Sequence, residues 1–219
     1  MDRLAMIFKN RQDAGIKLAH WLLGKALPPI DIVLGLPRGG VLVAVEVAKI
    51  LRVSFDLVLV RKLGLAGHSE LAMGAIGEDF KAVLNDDIIS FYNVSQSQID
   101  HEIRVQSQEI ARRKKLYEAV RPGLHVTGKS VLLVDDGLAT GASMRAAITT
   151  LRQKKVGWLG CAVPVGAADS CRLIEGIVDG FYCYQMPIFF SGVGQWYQDF
   201  RQTTDAEVTA IMKDILLAS

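Results

Sequence analysis

Two adjacent carboxylates, Asp135 and Asp136, end an apolar run and open a loop of small residues in the segment VLLVDDGLATGASM (131–144). Gly137, Gly141, Ala139 and Ala142 let the backbone wrap closely around a ligand. Thr140 and Ser143 add hydroxyls, and the helix expected to follow offers free N–H groups at the positive end of its dipole. A phosphate fits against such amides. The carboxylates would repel that phosphate, so they must face another part of the same ligand, and vicinal sugar hydroxyls are suitable donors. One short loop therefore has the chemistry to grip both ends of a ribose 5-phosphate.

In this pattern the chain resembles the type I phosphoribosyltransferases, whose motif is four hydrophobic residues, two acidic residues, a short variable stretch, then Thr-Gly and hydroxyl residues. Asp135, Asp136, Thr140, Gly141 and Ser143 stand at matching positions. Gly137 and Ala139 depart from it, replacing a larger apolar residue and a hydroxyl. The resemblance implies that the acidic pair holds the ribose hydroxyls and that Gly137, Leu138, Ala139, Thr140, Gly141, Ala142 and Ser143 surround the 5-phosphate of phosphoribosyl pyrophosphate (PRPP). It also implies an α/β fold with an open, mostly parallel sheet and helices on both faces, plus a small hood.

The same resemblance gives roles to other residues. LPRGG (36–40) follows a strand candidate and would form the pyrophosphate loop, with Pro37, Arg38 and Gly39 in contact and the Arg38 guanidinium able to hold two phosphate oxygens. Arg61 and Lys62 precede LGLAGHSELAMG, where the family carries a mobile cover. Asp135, Asp136, Arg38 and Lys62 are the catalytic candidates, and Arg61 a substrate-binding one. His68 or Glu70 could assist proton transfer, against the blander reading of solvent-facing loop residues. Phe189, Phe190, Trp196 and Tyr197 could line a hood over 186–204, or simply pack the last helix. Mg²⁺ is expected through PRPP oxygens, with no direct protein cage.

The elements that must position these residues alternate between strands and helices, which argues for parallel strands covered on both faces. DIVLGL (31–36), DLVLVRK (56–62), SVLLVDD (130–136), WLGCAVPV (158–165) and IVDGFYCYQ (177–185) read as buried strands. Asn10 caps a helix with Ile16, Leu18, Ala19 and Leu22 as apolar positions. A second helix runs over VLVAVEVAKIL and another from about Ser143 to Lys154. The pairs Ser95/Gln98 and Thr204/Glu207 open a long polar helix (95–117) and a last one with Val208, Ile211, Met212, Ile215 and Leu216 on one face. Residues 63–85 read as a flexible loop or hairpin turning at Gly77-Glu78-Asp79. Ligands in such sheets sit beyond the strands' carboxyl ends, so the loops after Leu36, Arg61 and Val134 are where chemistry belongs.

With 219 residues, half of them hydrophobic, the chain can bury a sizeable core as a single domain over 1–219. A formal net charge of +2 does not mark a nucleic-acid wrapper or a membrane-surface binder. The charged N-terminus has no apolar stretch of signal type, and Cys161, Cys171 and Cys183 lack metal or disulfide spacing. A cytoplasmic protein is the expectation. The uncharged stretch from Gly180 to Gln198 reads as strand plus loop. GLHVTGKS (123–130) has the letters of a phosphate-binding P-loop, but a strand follows it where that loop needs a helix. Arg112, Arg113, Lys114 and Lys115 suit a helix C-terminus better than nucleic acid.

Three functional readings remain open from sequence. The first is a transferase moving the phosphoribosyl group of PRPP to a nitrogen acceptor such as a nucleobase, releasing pyrophosphate. The second is a non-catalytic sensor of PRPP or nucleotides, and the third a hydrolase or phosphorylase acting on a ribose phosphate. A homodimer is expected from the resemblance alone.

Overall fold

The computed structural model describes residues 6–65, 68–120 and 123–218, with side chains at all of these except 68–70 and 216–218. Helix α1 (Arg11–Leu23) is capped by Asn10, whose side chain accepts from the Asp13 N–H. It buries Ala14, Gly15, Leu18, Ala19 and Leu22, whereas Ile16, expected on the apolar face, is exposed. Strand β1 (Ile32–Gly35) leads into α2 (Gly39–Leu51), and β2 (Ser54–Leu57) follows.

Beyond β2 come three antiparallel strands: β3 (Val60–Leu65), β4 (His68–Gly77) and β5 (Ala82–Leu84). A short helix α3 (Asp86–Phe91) and the long α4 (Gln96–Glu118) lead to β6 (Ser130–Val134), α5 (Ala142–Gln153) and β7 (Trp158–Val165). Helix α6 (Ala168–Glu175), β8 (Gly180–Gln185) and α7 (Asp205–Ala218) complete the order.

Among the described residues the main sheet has five strands, all parallel, in the order β2-β1-β6-β7-β8. Alternation divides its side chains between two cores. Val33, Leu132 and Val134 face α1, α2 and α7, while Ile32, Leu34, Val131 and Leu133 face α5 and α6. This is the expected open α/β sheet with helices on both faces.

The expected single strand over 56–62 is two strands instead. Asp56 turns its carboxylate onto the N–H groups of Leu57 and Leu124, and the Val58 N–H reaches the Gly35 carbonyl before the chain leaves the sheet. Val58 and Leu59 stay buried through this bend. A continuous apolar run cannot distinguish one buried strand from two joined by a buried corner. The last strand also starts later than expected, at Gly180, because the Asp179 carboxylate is occupied by the Leu159 N–H and Arg152.

Helix α4 begins with the full Ser95–Gln98 capping box, and Thr204 and Glu207 cap α7 reciprocally. The narrow stripe of α4, Ile99 and Ile110, packs with Leu63, Met73 and Ile76 of the antiparallel sheet. The long polar helix thus walls the sheet that follows the main-sheet edge. Three of the four cations in its basic run make ion pairs: Arg112 with Glu109 and Asp205, Arg113 with Glu109, Lys114 with Glu118. The segment 123–130 is a loop entering β6, so the P-loop letters have no helix to open.

Helices α1 and α2 pack tightly at Gly15, where an added Cβ would lie 2.7 Å from the Val43 carbonyl oxygen and 3.0 Å from the Glu46 Cβ. Backbone cannot step aside as a side chain can. Gly15→Ala should therefore destabilise the protein by about 1–3 kcal/mol, measured by denaturant unfolding, with binding at the carboxyl edge of the sheet left intact.

Candidate functional site

The carboxyl ends of β1 and β6 are neighbours in register, Gly35 beside Val134, so the two loops leaving them share one edge. The β1 loop passes through a cis Pro37–Arg38 peptide into α2. Arg38 is the N-cap of α2 and makes no side-chain cap, and Gly141, at φ 75°, caps α5 without a side chain as well. Two helix N-termini therefore present amides at the same edge that no capping side chain consumes.

Asp135 and Asp136 lie against the first turn of α2. An added Cβ at Gly39 would fall 2.0 Å from Asp136 Oδ2, and one at Gly40 2.6 Å from Asp135 Oδ1. The glycines of PRGG are thus required by the protein's own carboxylates. Asp135 Oδ1 accepts the Asp136 N–H at 2.8 Å. Burial pushes the Asp135 carboxyl well above its ordinary range, and the neighbouring Asp136 charge adds to this. Burial raises Asp136 too, but the Arg11 guanidinium opposes it.

Arg11 was not among the expected site residues. Its Nε lies 2.7 Å from Asp136 Oδ2, its Nη1 donates to the Arg201 carbonyl at 2.7 Å, and its guanidinium stacks 3.9 Å from the Phe200 ring centroid. Only 9 % of its side chain is exposed. A signal existed in the helix pattern: position 11 shares the buried stripe with 14, 15, 18 and 22, and a charge on such a stripe needs a partner.

In the loop after the acidic pair, Thr140, Ala139 and Ser143 are exposed, and Ala142 is half-buried. Gly137 packs tightly, a Cβ there falling 2.5 Å from Val193. Leu138 is an anchor: its side chain is buried, its N–H goes to the Val165 carbonyl, and its carbonyl accepts from Ala167. Its amide is therefore committed within the protein. Ser170 of α6 donates to the Ala139 carbonyl.

Arg61 is half-buried at the start of β3, its Nε bound to Gln106 of α4 at 2.7 Å. Gln106 in turn reaches Glu102, which accepts the Gly64 N–H. Burial, then the charges of Arg113 and, more weakly, Arg38, lower the Arg61 guanidinium from its ordinary value. Arg38 and Arg61 are thus close enough to feel one another. Lys62 lies on the opposite face of β3 from Arg61. His68 and Glu70 belong to β4, and their side chains lie outside the described residues.

The segment after β8 separates into two kinds of aromatic. Phe189 is exposed, together with Ile188 and Met186. Tyr197 is buried against Phe8, and its hydroxyl donates to the Asp136 carbonyl. Phe190, Trp196 and Phe200 pack around the same cluster. The N-terminal segment joins this region as well: the Phe8 N–H donates to the Trp196 carbonyl, and the Gln198 N–H to the Phe8 carbonyl. That pairing links residues nearly 190 positions apart in the chain, beyond the reach of any local pattern.

Among the described residues no group of three or more His, Cys, Asp or Glu side chains could hold a metal ion, and no helix is long and apolar enough to cross a membrane. The three cysteines are buried and free.

The family model described as "Phosphoribosyl transferase domain" matches residues 5–195. Two Mycobacterium tuberculosis proteins, from strains CDC 1551 / Oshkosh and ATCC 25618 / H37Rv and each named "Putative phosphoribosyl transferase", are 42% identical over 209 residues. The match covers 94% of this chain and 46% of each relative, so the chain spans about half the length of the curated relatives it matches. The crystal structure of TT1426 from Thermus thermophilus is similar at a TM-score of 0.85 and 39% identity, covering 95% of this chain and 99% of that one. With the family model matching most of the chain and these relatives covering 94% of it, the chain belongs to the phosphoribosyl transferase domain family.

Proposed function

We propose that this chain transfers the phosphoribosyl group of PRPP to a nitrogen acceptor of nucleobase type and releases pyrophosphate. The observation that carries the reading is the acidic pair lying between two helix N-termini without side-chain caps, at the carboxyl edge of a parallel sheet. In this reading Asp135 and Asp136 accept from the ribose hydroxyls. Thr140, Ser143 and the amides opening α5 hold the 5-phosphate. Pro37, Arg38 and Gly39 cradle the pyrophosphate, and Arg61, whose charge Arg38 feels, adds positive charge on its side, whereas Lys62 leaves β3 on the other face.

The bond between ribose C1 and the pyrophosphate oxygen breaks, and its electron pair leaves with pyrophosphate. The acceptor nitrogen's lone pair forms the new bond from the opposite face, and its proton passes to water. Positive charge builds on the ribose ring meanwhile, so catalysis consists chiefly of positioning and electrostatics. The donor set suits Mg²⁺ held mainly by substrate oxygens and water, because Asp136 is already paired with Arg11. When bound, the ion supplies charge neutralisation on the pyrophosphate. Exposed Phe189 offers a face for a planar acceptor. The reading puts the protein in the cytoplasm, which suits three buried free cysteines.

The test is a calorimetric titration of PRPP with Mg²⁺, followed by a pyrophosphate-release assay over a panel of nucleobases. Binding with release for one base is the expected result. Release in water alone would replace the transferase with a hydrolase, binding without release would favour a sensor, and absence of binding would overturn the reading.

A further inference from the structure

We propose that Arg11 is the positioning residue of the acidic pair: its guanidinium holds the Asp136 carboxylate in one orientation and ties it to the segment 196–201. This rests on the ribose-gripping role given above to Asp135 and Asp136.

The two carboxylates are chemically alike but are held differently. Asp136 has a cation 2.7 Å from Oδ2, whereas Asp135 makes no ion pair among the described residues and accepts a neutral amide instead. The groups facing Asp136 are Arg11 from α1, Asp135 beside it, and the Tyr197 hydroxyl, which donates to the Asp136 carbonyl. Arg11 is the sole cation in that set, so the charge of Asp136 depends on it. Two adjacent ionised carboxylates in a mostly buried setting repel one another, and a fixed cation on one of them separates their titrations.

Arg11 is itself over-determined. Nη1 is held by the Arg201 carbonyl, and the guanidinium face rests on Phe200. Both partners lie in the segment that also carries Tyr197, so that segment grips Asp136 twice, through Arg11 and through the tyrosine hydroxyl. An arginine at this position supplies what a lysine does not: a planar fork that bonds in two directions while stacking on a ring. A plain structural ion pair would need neither the carbonyl nor the ring. The arrangement holds Oδ2 of Asp136 to one side and sets which carboxylate edge can meet a sugar hydroxyl.

The experiment compares wild type with Arg11→Met and Arg11→Lys. Aspartate carboxyl carbons are titrated by NMR without ligand, and PRPP affinity is measured from pH 5 to 9. In Arg11→Met the Asp136 titration should move upward by about one pH unit or more, and PRPP affinity near pH 6 should fall at least about tenfold and recover as pH rises. Arg11→Lys should keep most of the titration and lose part of the affinity, and it serves if the methionine variant does not fold. An unmoved Asp136 titration in a folded variant overturns the proposal. So does an affinity loss that is parallel at every pH, which a merely structural role would give. Tighter PRPP binding in Arg11→Met would overturn it too, by making Arg11 an occupant of the ribose site. If wild type does not bind PRPP, the functional reading fails separately, and the ligand-free titration still decides whether Arg11 controls Asp136.

Discussion

Asp135→Asn is expected to make the free protein more heat-stable and a poorer PRPP binder at once. Its folded-state carboxyl is pushed well above the ordinary value, first by burial and then by the Asp136 charge. The sign follows from linkage. A carboxyl whose folded value exceeds its unfolded value, about 3.9, favours folding most below that unfolded value and loses the contribution as pH rises through the folded one. Around neutrality the pair is therefore a burden on the free protein. Asparagine removes the repulsion and still offers Oδ1 to the Asp136 N–H.

A gain of about 1 kcal/mol, or about 2–4 °C in melting temperature for a chain of this length, is the expected size. The gain should shrink as the pH is lowered, because protonation then removes the charge from the wild-type carboxyl as well. PRPP binding should fall by about ten- to a hundredfold, since a hydrogen bond to a charged acceptor is worth about 1.5–3 kcal/mol. Calorimetric melting across pH, with PRPP titration at pH 7.5, checks both halves. A variant that melts lower at neutral pH and binds normally would refute the assignment of Asp135.

The parts legible in the sequence were those with local causes. The acidic pair, the glycines and the hydroxyls of 135–143 lie on one strand-loop-helix unit, and the caps at Asn10, Ser95 and Thr204 are read from residues three positions apart. Helix α3 had such a signal too, Asn85 accepting from the Ile88 N–H ahead of Asp86 and Asp87, yet its six residues offered too little periodicity to stand out. Arg11 and the Phe8–Tyr197 bridge were of another kind. They join the chain's first helix and the segment just before it to its last hundred residues, and their partners are set by how the layers stack. The glycines of PRGG show the same limit. The family resemblance implied a pyrophosphate loop there, whereas the tightest neighbours these glycines meet are Asp135 and Asp136.

That last point carries the second large prediction, Gly39→Ala. The new methyl group would lie 2.0 Å from Asp136 Oδ2, 2.9 Å from its Cγ and 2.8 Å from Arg11 Nε. A free carboxylate would rotate away cheaply, but this one is held by Arg11, and moving it strands an arginine side chain only 9 % exposed. Breaking a buried ion pair on one side costs about 3–5 kcal/mol, and a melting temperature lower by about 10 °C follows for a chain of this length. Gly192→Ala is the contrast: its φ of 168° is ordinary extended backbone, and nothing lies within 4 Å of the added methyl. That change should stay within about 0.5 kcal/mol. The cause can be isolated by a double-mutant cycle with Asp136→Ala. If the carboxylate is what demands glycine at 39, the alanine there should cost much less once Asp136 has been truncated. An undiminished cost would move the conflict to the α2 backbone, and Gly39 would then be read again as a residue kept small for a ligand.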